Sequence, residues 1–313
     1  MRALSTRLPW LVFAACLLSG CPRSAASKNT PVDSNDHVPN EGGAGALEGR
    51  EAHAGPCIGV PCERFASPAA AFDRVLEGRP RVLAVGESHA PADGPRVPSA
   101  TVRFKELLLP RLSGHATDLV LELWIANGKC GKSEVAVREK QAPIVAREAK
   151  TNPNEFVALG DAAFGLGIKP HVLVPTCEEY ARILDAGAGD VDLMLTTIAK
   201  RSIDVAFKFL PAELTDAATG PSTLLMYGGS VHNDLHPRPG REPWSFGPTI
   251  AAKVPGRYVE LDLVVPEFIK DDEVWKNLPW FPHFDRAKHT DVETVLMHPK
   301  DGVYVLVFPF APR

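Results

Sequence analysis

Short apolar runs alternate with longer amphipathic stretches along most of the chain, a pattern that predicts β-strands separated by helices. The apolar runs are residues 81–86, 118–123, 170–175, 222–228 and 257–264. The helical patterns between them begin near Ser99, Ser133, Glu178, Val191 and Thr249. The runs show little polar alternation, which is typical of parallel strands covered on both faces. We therefore predict an α/β domain with a largely parallel central sheet flanked by helices.

The last apolar runs follow a different pattern. Residues 293–298 and 303–308 are joined by the turn residues Pro-Lys-Asp-Gly, which predicts a β-hairpin. We expect this C-terminal antiparallel hairpin to lie at one edge of the sheet. Ligands bind at the carboxyl ends of the strands in open α/β sheets, so polar residues just after the parallel strands are the first candidates for a site.

The start of the chain has the pattern of an export signal. A positively charged beginning precedes an apolar stretch at 9–18, which is too short to span a bilayer. The stretch runs into L-S-G-C (18–21), which resembles the lipobox of bacterial lipoproteins, where cleavage precedes a cysteine that then carries lipid. We predict a lipoprotein signal peptide at 1–20 and lipidation of Cys21. The alternatives are an ordinary secretory signal and a short uncleaved helix.

Lipidation would place the protein outside the cytosol, anchored to a bacterial membrane by its acyl chains. Pro22 follows Cys21 in place of the aspartate that retains many lipoproteins at an inner membrane, which favours the outer membrane. Residues 21–64 are poor in large apolar side chains and rich in Pro, Gly, Ala and Ser, so we predict a flexible tether. Residues 65–313 are enough for one globular domain.

The overall charge gives little indication of a polyanionic partner. The formal net charge is −4, and no basic run or RNA-binding motif stands out. We therefore expect no nucleic acid partner. The expected partners are a membrane, contacted through the lipid, and a small-molecule or peptide substrate.

Four cysteines remain beyond Cys21. An even number in an oxidising compartment suggests disulfides. Cys57 with Cys62 would close a small loop at the end of the tether. Cys130 and Cys177 each lie shortly after a predicted strand, so they could meet across one rim of the sheet. A metal site that uses Cys130 and Cys177, or free buried thiols, are the alternatives.

Two predicted strands end in the same pattern, a glycine followed three residues later by a histidine. The first is G-E-S-H (86–89) and the second is G-S-V-H (229–232). In the first, we expect the glycine to allow a sharp turn that places Glu87 and His89 in a loop facing a cleft. A carboxylate beside an imidazole can ligate a divalent metal or act as an oriented base. His232 of the second pattern would then face the same cleft.

Glu122 is the remaining candidate, because it lies inside the apolar run Leu119–Trp124. A glutamate among such neighbours is costly unless it has a partner, which a cation or the two histidines would supply. Ser88 is a weaker candidate. G-E-S-H-A approaches a nucleophile elbow, but an elbow turns directly into a helix, whereas residues 91–95 are rich in proline and glycine.

The other histidines and the tryptophans do not belong to such a group of polar residues at predicted strand ends. For Trp124, Trp244 and Trp280 we favour core packing or surface anchoring over a role in a pocket. A lone histidine at a strand end is more often a hydrogen-bonded structural residue than a ligand. The candidate acids and histidines differ, because all of them are predicted at the strand ends of one sheet.

These motifs resemble the superfamily that joins the TIKI proteases, the TraB proteins, the erythromycin esterases and the ChaN-type haem-binding lipoproteins. VLAVGESH (82–89), a following helix and LVLELW (119–124) are especially similar to the ChaN and erythromycin-esterase branches. The resemblance spans residues 80–265. It implies a hydrolytic site on two histidines and acids, metal-assisted in the TIKI branch. Carried over by position, the catalytic residues are Glu87, His89, Glu122 and His232.

The chain departs from both similar branches. The ChaN pattern usually has further histidine soon after the first motif, where this chain is rich in proline. The erythromycin esterases are longer, with additional helical insertions.

Two functions follow as hypotheses. The first is an extracytoplasmic hydrolase of ester or peptide bonds, in which His89, His232 and Glu122 hold a divalent metal or, with Glu87, act as acid and base. The second is a non-catalytic haem- or iron-binding lipoprotein, with Tyr227, His232 or His236 as the axial ligand. A scaffold that only binds partners is a third possibility.

Overall fold

A computed structural model describes residues 10–12, 56–210 and 223–312 of the 313-residue chain. Its strands are β1 Trp10–Val12, β2 Cys62–Phe65, β3 Val82–Glu87, β4 Ala116–Ile125, β5 Lys169–Leu173, β6 Thr223–Gly229, β7 Tyr258–Val264, β8 Thr294–Lys300 and β9 Val303–Val307. Its α-helices are α1 Pro68–Leu76, α2 Ala100–Arg103, α3 Lys132–Val145, α4 Asn152–Gly165, α5 Cys177–Asp185, α6 Asp190–Ala206, α7 Gly247–Lys253 and α8 Glu273–Lys276. Each apolar run of the sequence is a strand, within one to two residues at either end.

One sheet contains all of these strands, and the predicted fold class is confirmed. Their order across the sheet is β5-β4-β6-β3-β7-β9-β8-β2, and β1 also pairs with β4. Neighbouring strands from β5 to β9 run parallel. The predicted C-terminal hairpin, β8 with β9, is antiparallel, and β2 pairs antiparallel with β8 at the outer edge.

The last part of the predicted tether belongs to the fold. Strand β2 pairs with β8 over Cys62–Phe65, and Cys57 forms an isolated bridge with Phe284. The boundary predicted at residue 64 is therefore too late along the chain. The segment is short and polar, so its composition resembles a linker, but its backbone hydrogen bonds cover the edge of the hairpin, which would otherwise be an open sheet edge.

Most of the segment predicted to carry the lipid lies outside the described residues, including Cys21 and positions 22–55. Trp10–Val12, inside the predicted signal peptide, pairs antiparallel with Leu123–Ile125. A chain cleaved before Cys21 would lack this strand. Within the described residues, no helix has the length and apolarity needed to cross a bilayer.

Two hydrophobic cores cover the two faces of the sheet, because alternate residues of each strand point in opposite directions. On β3, Leu83 and Val85 belong to the core that contains Phe104 and Phe156. Val82 and Ala84 belong to the other core, with Trp124 and the residues of α6. The parallel strands are therefore buried on both faces, as their unbroken apolar runs predict.

The carboxyl ends of the central parallel strands lie at the same edge of the sheet. β3 lies between β6 and β7, although β4 follows β3 in the chain. The chain thus leaves β3 toward one side of the sheet and later reaches its other side. This is the topological arrangement at which open α/β sheets form a crevice at the carboxyl ends of their strands, and β3, β4 and β6 all end there with the polar residues singled out above.

Candidate active site

The glycines that end β3 and β6 make room for side chains. A Cβ on Gly228 would lie 2.3 Å from Oε2 of Glu122, and one on Gly86 would lie 2.4 Å from Oδ1 of Asn233. Neither glycine has a positive φ. The predicted sharp turn at Gly86 is therefore wrong, because this glycine continues β3 and permits the close approach of Asn233. Gly228 likewise lies within β6 and permits the close approach of the Glu122 side chain.

Glu87 is the last residue of β3, and its buried carboxylate orients His89. Its Oε1 atom lies 2.7 Å from Nδ1 of His89. Its Oε2 atom accepts hydrogen bonds from Thr101, at 2.9 Å, and from the hydroxyl of Tyr227, at 2.7 Å. The Phe156 ring packs beside the imidazole, with 5.6 Å between ring centroids. The carboxylate is thus saturated by its partners and holds the His89 ring in one orientation.

Glu122 and His232 form a second pair. Oε2 of Glu122 accepts the backbone N–H of Gly229 at 2.6 Å, and Nδ1 of His232 donates to the carbonyl oxygen of Trp244 at 2.6 Å. The remaining atoms, Oε1 of Glu122 and Nε2 of His232, are 3.3 Å apart. The buried glutamate in an apolar run therefore has a histidine partner, as its sequence context predicts.

The two pairs meet around Gly229. The position of a Cβ on Gly229 would be 3.5 Å from Nε2 of His89, 3.5 Å from Oε2 of Glu122 and 4.0 Å from Cδ2 of His232. Nε2 of His89, Nε2 of His232 and Oε1 of Glu122 are buried and lack a hydrogen-bond partner among the described residues. Buried polar atoms are usually satisfied, so this concentration of bare atoms marks a site for a small polar molecule.

The charge of the first pair favours a protonated His89. Burial alone lowers the pKa of an imidazole, but the hydrogen bond and negative charge of Glu87, aided by Glu148 and Glu122, raise the pKa of His89 to about 9. At neutral pH the ring is therefore an imidazolium, and its bare Nε2 atom carries a hydrogen that it can donate.

Glu148 joins this centre and was not predicted from the sequence. Its side chain is buried and its Oε1 atom lacks a partner in the described part of the chain, whereas Oε2 is 3.5 Å from Nδ2 of Asn152. Burial raises its pKa to about 7, against the favourable charge of His89. A backbone bridge between Pro91 and Glu148 places it beside the first motif. No local signal distinguishes Glu148 in the charged stretch around it.

A third group of acids lies on β7. Glu260 and Asp262 are on one face, where Leu235 N–H donates to Glu260 at 2.6 Å and Asn233 donates to Asp262 at 3.2 Å. Burial raises the pKa of both, and the charge of Asp262 raises that of Glu260 further, so the pair retains a proton near neutral pH. Acids inside an apolar run are the signal that identified Glu122, and the same signal could have identified these two.

A cavity of about 310 Å³ opens at the first pair. His89 and Glu87 line it together with Gly229, whereas Glu122 and His232 do not. The cavity continues away from the strand ends, where its wall includes Trp244 and Trp280. These two tryptophans, for which we favoured packing or anchoring, thus contribute to a pocket, while Trp124 is buried in the core and donates to Tyr180. Ser88 also lines the cavity and follows β3 without an elbow, because the described chain continues into turns rather than a helix.

Each of the predicted metal ligands His89, His232 and Glu122 is engaged with a neighbouring side chain. Among the described residues, no three His, Cys, Asp or Glu side chains are grouped so that they could hold an ion. Glu122 and His232 are paired with each other, and His89 is paired with Glu87. The metal stays a prediction, and the mechanism proposed below contains no step through it.

The candidate haem ligands are also dispersed. The Tyr227 hydroxyl is buried and donates to Glu87, and His232 lies behind the cavity wall. Of the three side chains proposed as axial ligands, His236 alone lines the cavity. Haem binding therefore stays a prediction with no arrangement of residues that favours it.

Both predicted disulfides are present. Cys57 is bonded to Cys62, and Cys130 is bonded to Cys177. The second bond joins the loop after β4 to the first residue of α5, as the positions of the cysteines after their strands predict. It links the loop after β4, the strand that carries Glu122, to helix α5.

Comparisons with family models, with curated proteins and with solved structures found no match to this chain. The resemblance to the superfamily with two G-x-x-H motifs therefore remains an expectation carried by the motifs themselves.

Proposed function

We propose that this protein is an extracytoplasmic, lipid-anchored hydrolase with a histidine–glutamate acid–base site. The observation that supports it most strongly is the shared state of His89 and His232. Each ring has its Nδ1 atom fixed by a hydrogen bond and its buried Nε2 atom bare, and the two rings face one glycine at adjacent strand ends. Fixing one ring nitrogen leaves the other with a defined role in proton transfer.

In the proposed reaction, His89 is the acid. Its Nε2–H, kept protonated through Glu87, donates to the carbonyl oxygen of an ester or peptide bond and stabilises the charge that develops there. It then gives its proton to the departing alcohol or amine. His89 lines the cavity, so a substrate bound there would lie against this side chain.

The base is the pair of Glu122 and His232. Gly229 lines the cavity and lies between the two pairs, so a water molecule bound beside it would be within reach of both. The pair takes one proton from this water as the water oxygen bonds to the acyl carbon, and the bond to the leaving group then breaks. The products are a carboxylic acid and an alcohol or amine, and the pair's proton returns His89 to its starting state.

The location of the enzyme rests on the N-terminal pattern and on the two disulfides, which are typical of oxidising compartments. The lipid would hold the domain at a membrane surface. Replacing Cys21 with serine should move the protein from the membrane fraction to the soluble fraction. A Cys21→Ser protein that still sediments with membranes would contradict the lipid anchor.

The reaction is tested with the mature lipoprotein purified in detergent. A panel of p-nitrophenyl esters and a fluorogenic peptide is assayed before and after dialysis against EDTA, with elemental analysis of the same sample. We expect hydrolysis of one class that survives dialysis. Activity that disappears with EDTA and returns with Zn²⁺ would replace this mechanism with a metal-assisted one. No hydrolysis, together with a Soret band on haem addition, would favour the haem-binding alternative.

A further inference from the structure

The loop that follows β6 brings two arginines to the wall of the cavity. Arg238 and Arg241 both line the cavity and are half-buried. The loop that carries them is fixed to the active site, because the Trp244 carbonyl at its end accepts the hydrogen bond of His232. Arg241 also stacks over the Trp244 ring, with its guanidinium carbon 5.6 Å from the centroid. The two cations thus have a defined place relative to the catalytic pairs.

No carboxylate forms an ion pair with either arginine within the described parts of the chain. The acid nearest in sequence, Glu242, accepts the backbone N–H of Gly240 instead. Burial lowers the pKa of Arg241, and repulsion by the charge of Arg238 lowers it further. Folding therefore holds two like charges at a cavity wall, and the single charge of Asp234 attracts both.

The other charges along this wall leave an excess of positive charge. Lys300 lines the cavity as well, and Asp234 is the acid that attracts both Arg238 and Lys300. Glu260 and Asp262 contribute less negative charge than their number suggests, because they retain a proton near neutral pH. A net positive wall in a partly enclosed cavity attracts an anion.

Another part of the lining, from residues 268–280, is mainly apolar, with Lys270 and Asp272 among its side chains. Phe268, Trp275, Leu278 and Trp280 line the cavity, and the rings of Trp275 and Trp280 pack edge to face with centroids 6.1 Å apart. A cavity of about 310 Å³ is at the small end of the range for small-molecule sites. It therefore suits a compact ligand with one apolar part and one charged part.

We propose that Arg238 and Arg241 form a subsite for an anionic group, carboxylate or phosphate, on a substrate whose apolar part contacts Trp275 and Trp280. Arginine pairs are suited to this task because the planar guanidinium binds such oxyanions through two parallel hydrogen bonds. The substrate class is thus an amphipathic anion with a hydrolysable bond near His89. This assignment rests on the proposed function only for the identity of that bond.

A matched pair of dyes tests the subsite without turnover. Anilinonaphthalene sulfonate carries an anionic group, and N-phenyl-1-naphthylamine has the same rings without it. We expect the double replacement of Arg238 and Arg241 by glutamine to weaken binding of the sulfonate at least tenfold, with less than a twofold change for the neutral dye. Arg96→Gln removes the same charge from an exposed position that does not line the cavity, and should change neither.

A second measurement uses the unaltered protein, in case the double variant folds poorly. We expect 2-naphthoate to displace the neutral dye at a concentration at least tenfold lower than 2-naphthamide does. Equal displacement by both compounds, or equal losses for both dyes in the variant, would overturn the anionic subsite. His89→Ala should abolish hydrolysis and leave the dye preference intact. In the unaltered protein, absence of hydrolysis with an intact dye preference would refute the proposed function alone, and hydrolysis without a dye preference would refute the subsite alone.

Discussion

Nε2 of His232 lies 3.3 Å from Oε1 of Glu122, and neither atom has a hydrogen-bond partner in the described structure. Nδ1 of His232 already donates to the Trp244 carbonyl, so a neutral ring directs the Nε2 lone pair at the carboxylate, which is repulsive at this distance. Uptake of a proton between the two atoms replaces this repulsion with attraction, which is the property that the proposed base requires.

Replacing Glu122 with glutamine should remove the negative charge of the side chain while nearly keeping its size and shape. The amide oxygen can still accept the N–H of Gly229, and the amide nitrogen can donate to His232, so the free energy of unfolding should change by about 1 kcal/mol or less. Loss of the carboxylate should lower kcat by about 100-fold or more. Urea unfolding and steady-state kinetics measure the two effects.

Glu134 provides the matched control for that variant. It is another buried glutamate that accepts backbone N–H groups, from Gly128 and Cys130, and it does not line the cavity. Glu134→Gln should leave kcat within twofold of the unaltered protein. Equal activity in the Glu122 and Glu134 variants would contradict the role given to Glu122.

The raised pKa of His89 predicts how stability depends on pH. The pKa is about 9 in the folded protein and 6.5 when unperturbed, so the folded state binds this proton more tightly than the unfolded chain. The resulting stabilisation is complete below pH 6.5 and is lost as pH rises through 9. Its size is about 3 kcal/mol from the difference between the two pKa values.

Urea unfolding of the unaltered protein and of His89→Asn at pH 6 and at pH 9.5 measures this effect. The unaltered protein should lose about 3 kcal/mol more than the variant over this interval. Glu148 also causes a loss of stability as pH rises, because its pKa is raised to about 7, and without the charge of His89 that pKa would be higher still. Both proteins are therefore compared in the Glu148→Gln background. Parallel losses across pH 6 to 9.5 would show that Glu87 does not hold a proton on His89.

Gly228→Ala should damage both the fold and the site. The added methyl group would lie 2.7 Å from Cβ of Glu122, an atom fixed to the backbone of β4, so the two strands must separate. We expect a loss of about 2 kcal/mol in stability and displacement of the Glu122 carboxylate. Thermal unfolding and kcat measure these consequences.

Gly165→Ala is the control for Gly228→Ala, because no atom lies within 4 Å of the Cβ it would add at the end of α4. It should leave stability unchanged or raise it by about 0.5 kcal/mol. If both alanine variants behave alike, close packing of Glu122 over Gly228 does not determine the strand ends.

The two disulfides should contribute unequally. Cys130 and Cys177 are separated by 47 residues and Cys57 and Cys62 by five. Loop-closure entropy then predicts losses of about 4 and about 2 kcal/mol when each pair is replaced by serine. Alkylation under denaturing, non-reducing conditions should modify none of the four cysteines. A larger loss from the shorter loop would contradict the entropic account.

The parallel strands and their burial on both faces could be predicted, because an unbroken apolar run indicates a strand that is covered on both sides. The contact between Glu87 and His89 is likewise local, since only Ser88 separates them along the chain. Glu122 could also be predicted from the sequence, because an acid in a buried strand requires a partner. The sequence does not say that this partner is His232 and not a cation.

The remaining parts depend on contacts between distant segments. Glu148 reaches His89 only because the end of α3 pairs with the loop after β3. Gly86 is required by Asn233, which lies far along the chain, and no local pattern distinguishes that need from a turn. Strand β2 is defined by its partner β8 and not by its own short, polar sequence.

The most direct test of the account compares three histidine variants on an ester that the unaltered protein hydrolyses. His171 serves as the control, because it also pairs with an acid, Asp118, at 2.8 Å but does not line the cavity. With circular dichroism showing unchanged folds, we predict that His89→Ala and His232→Ala each lose at least about 100-fold in kcat/KM, while His171→Ala stays within twofold. Unchanged turnover in both the His89 and His232 variants would contradict the site.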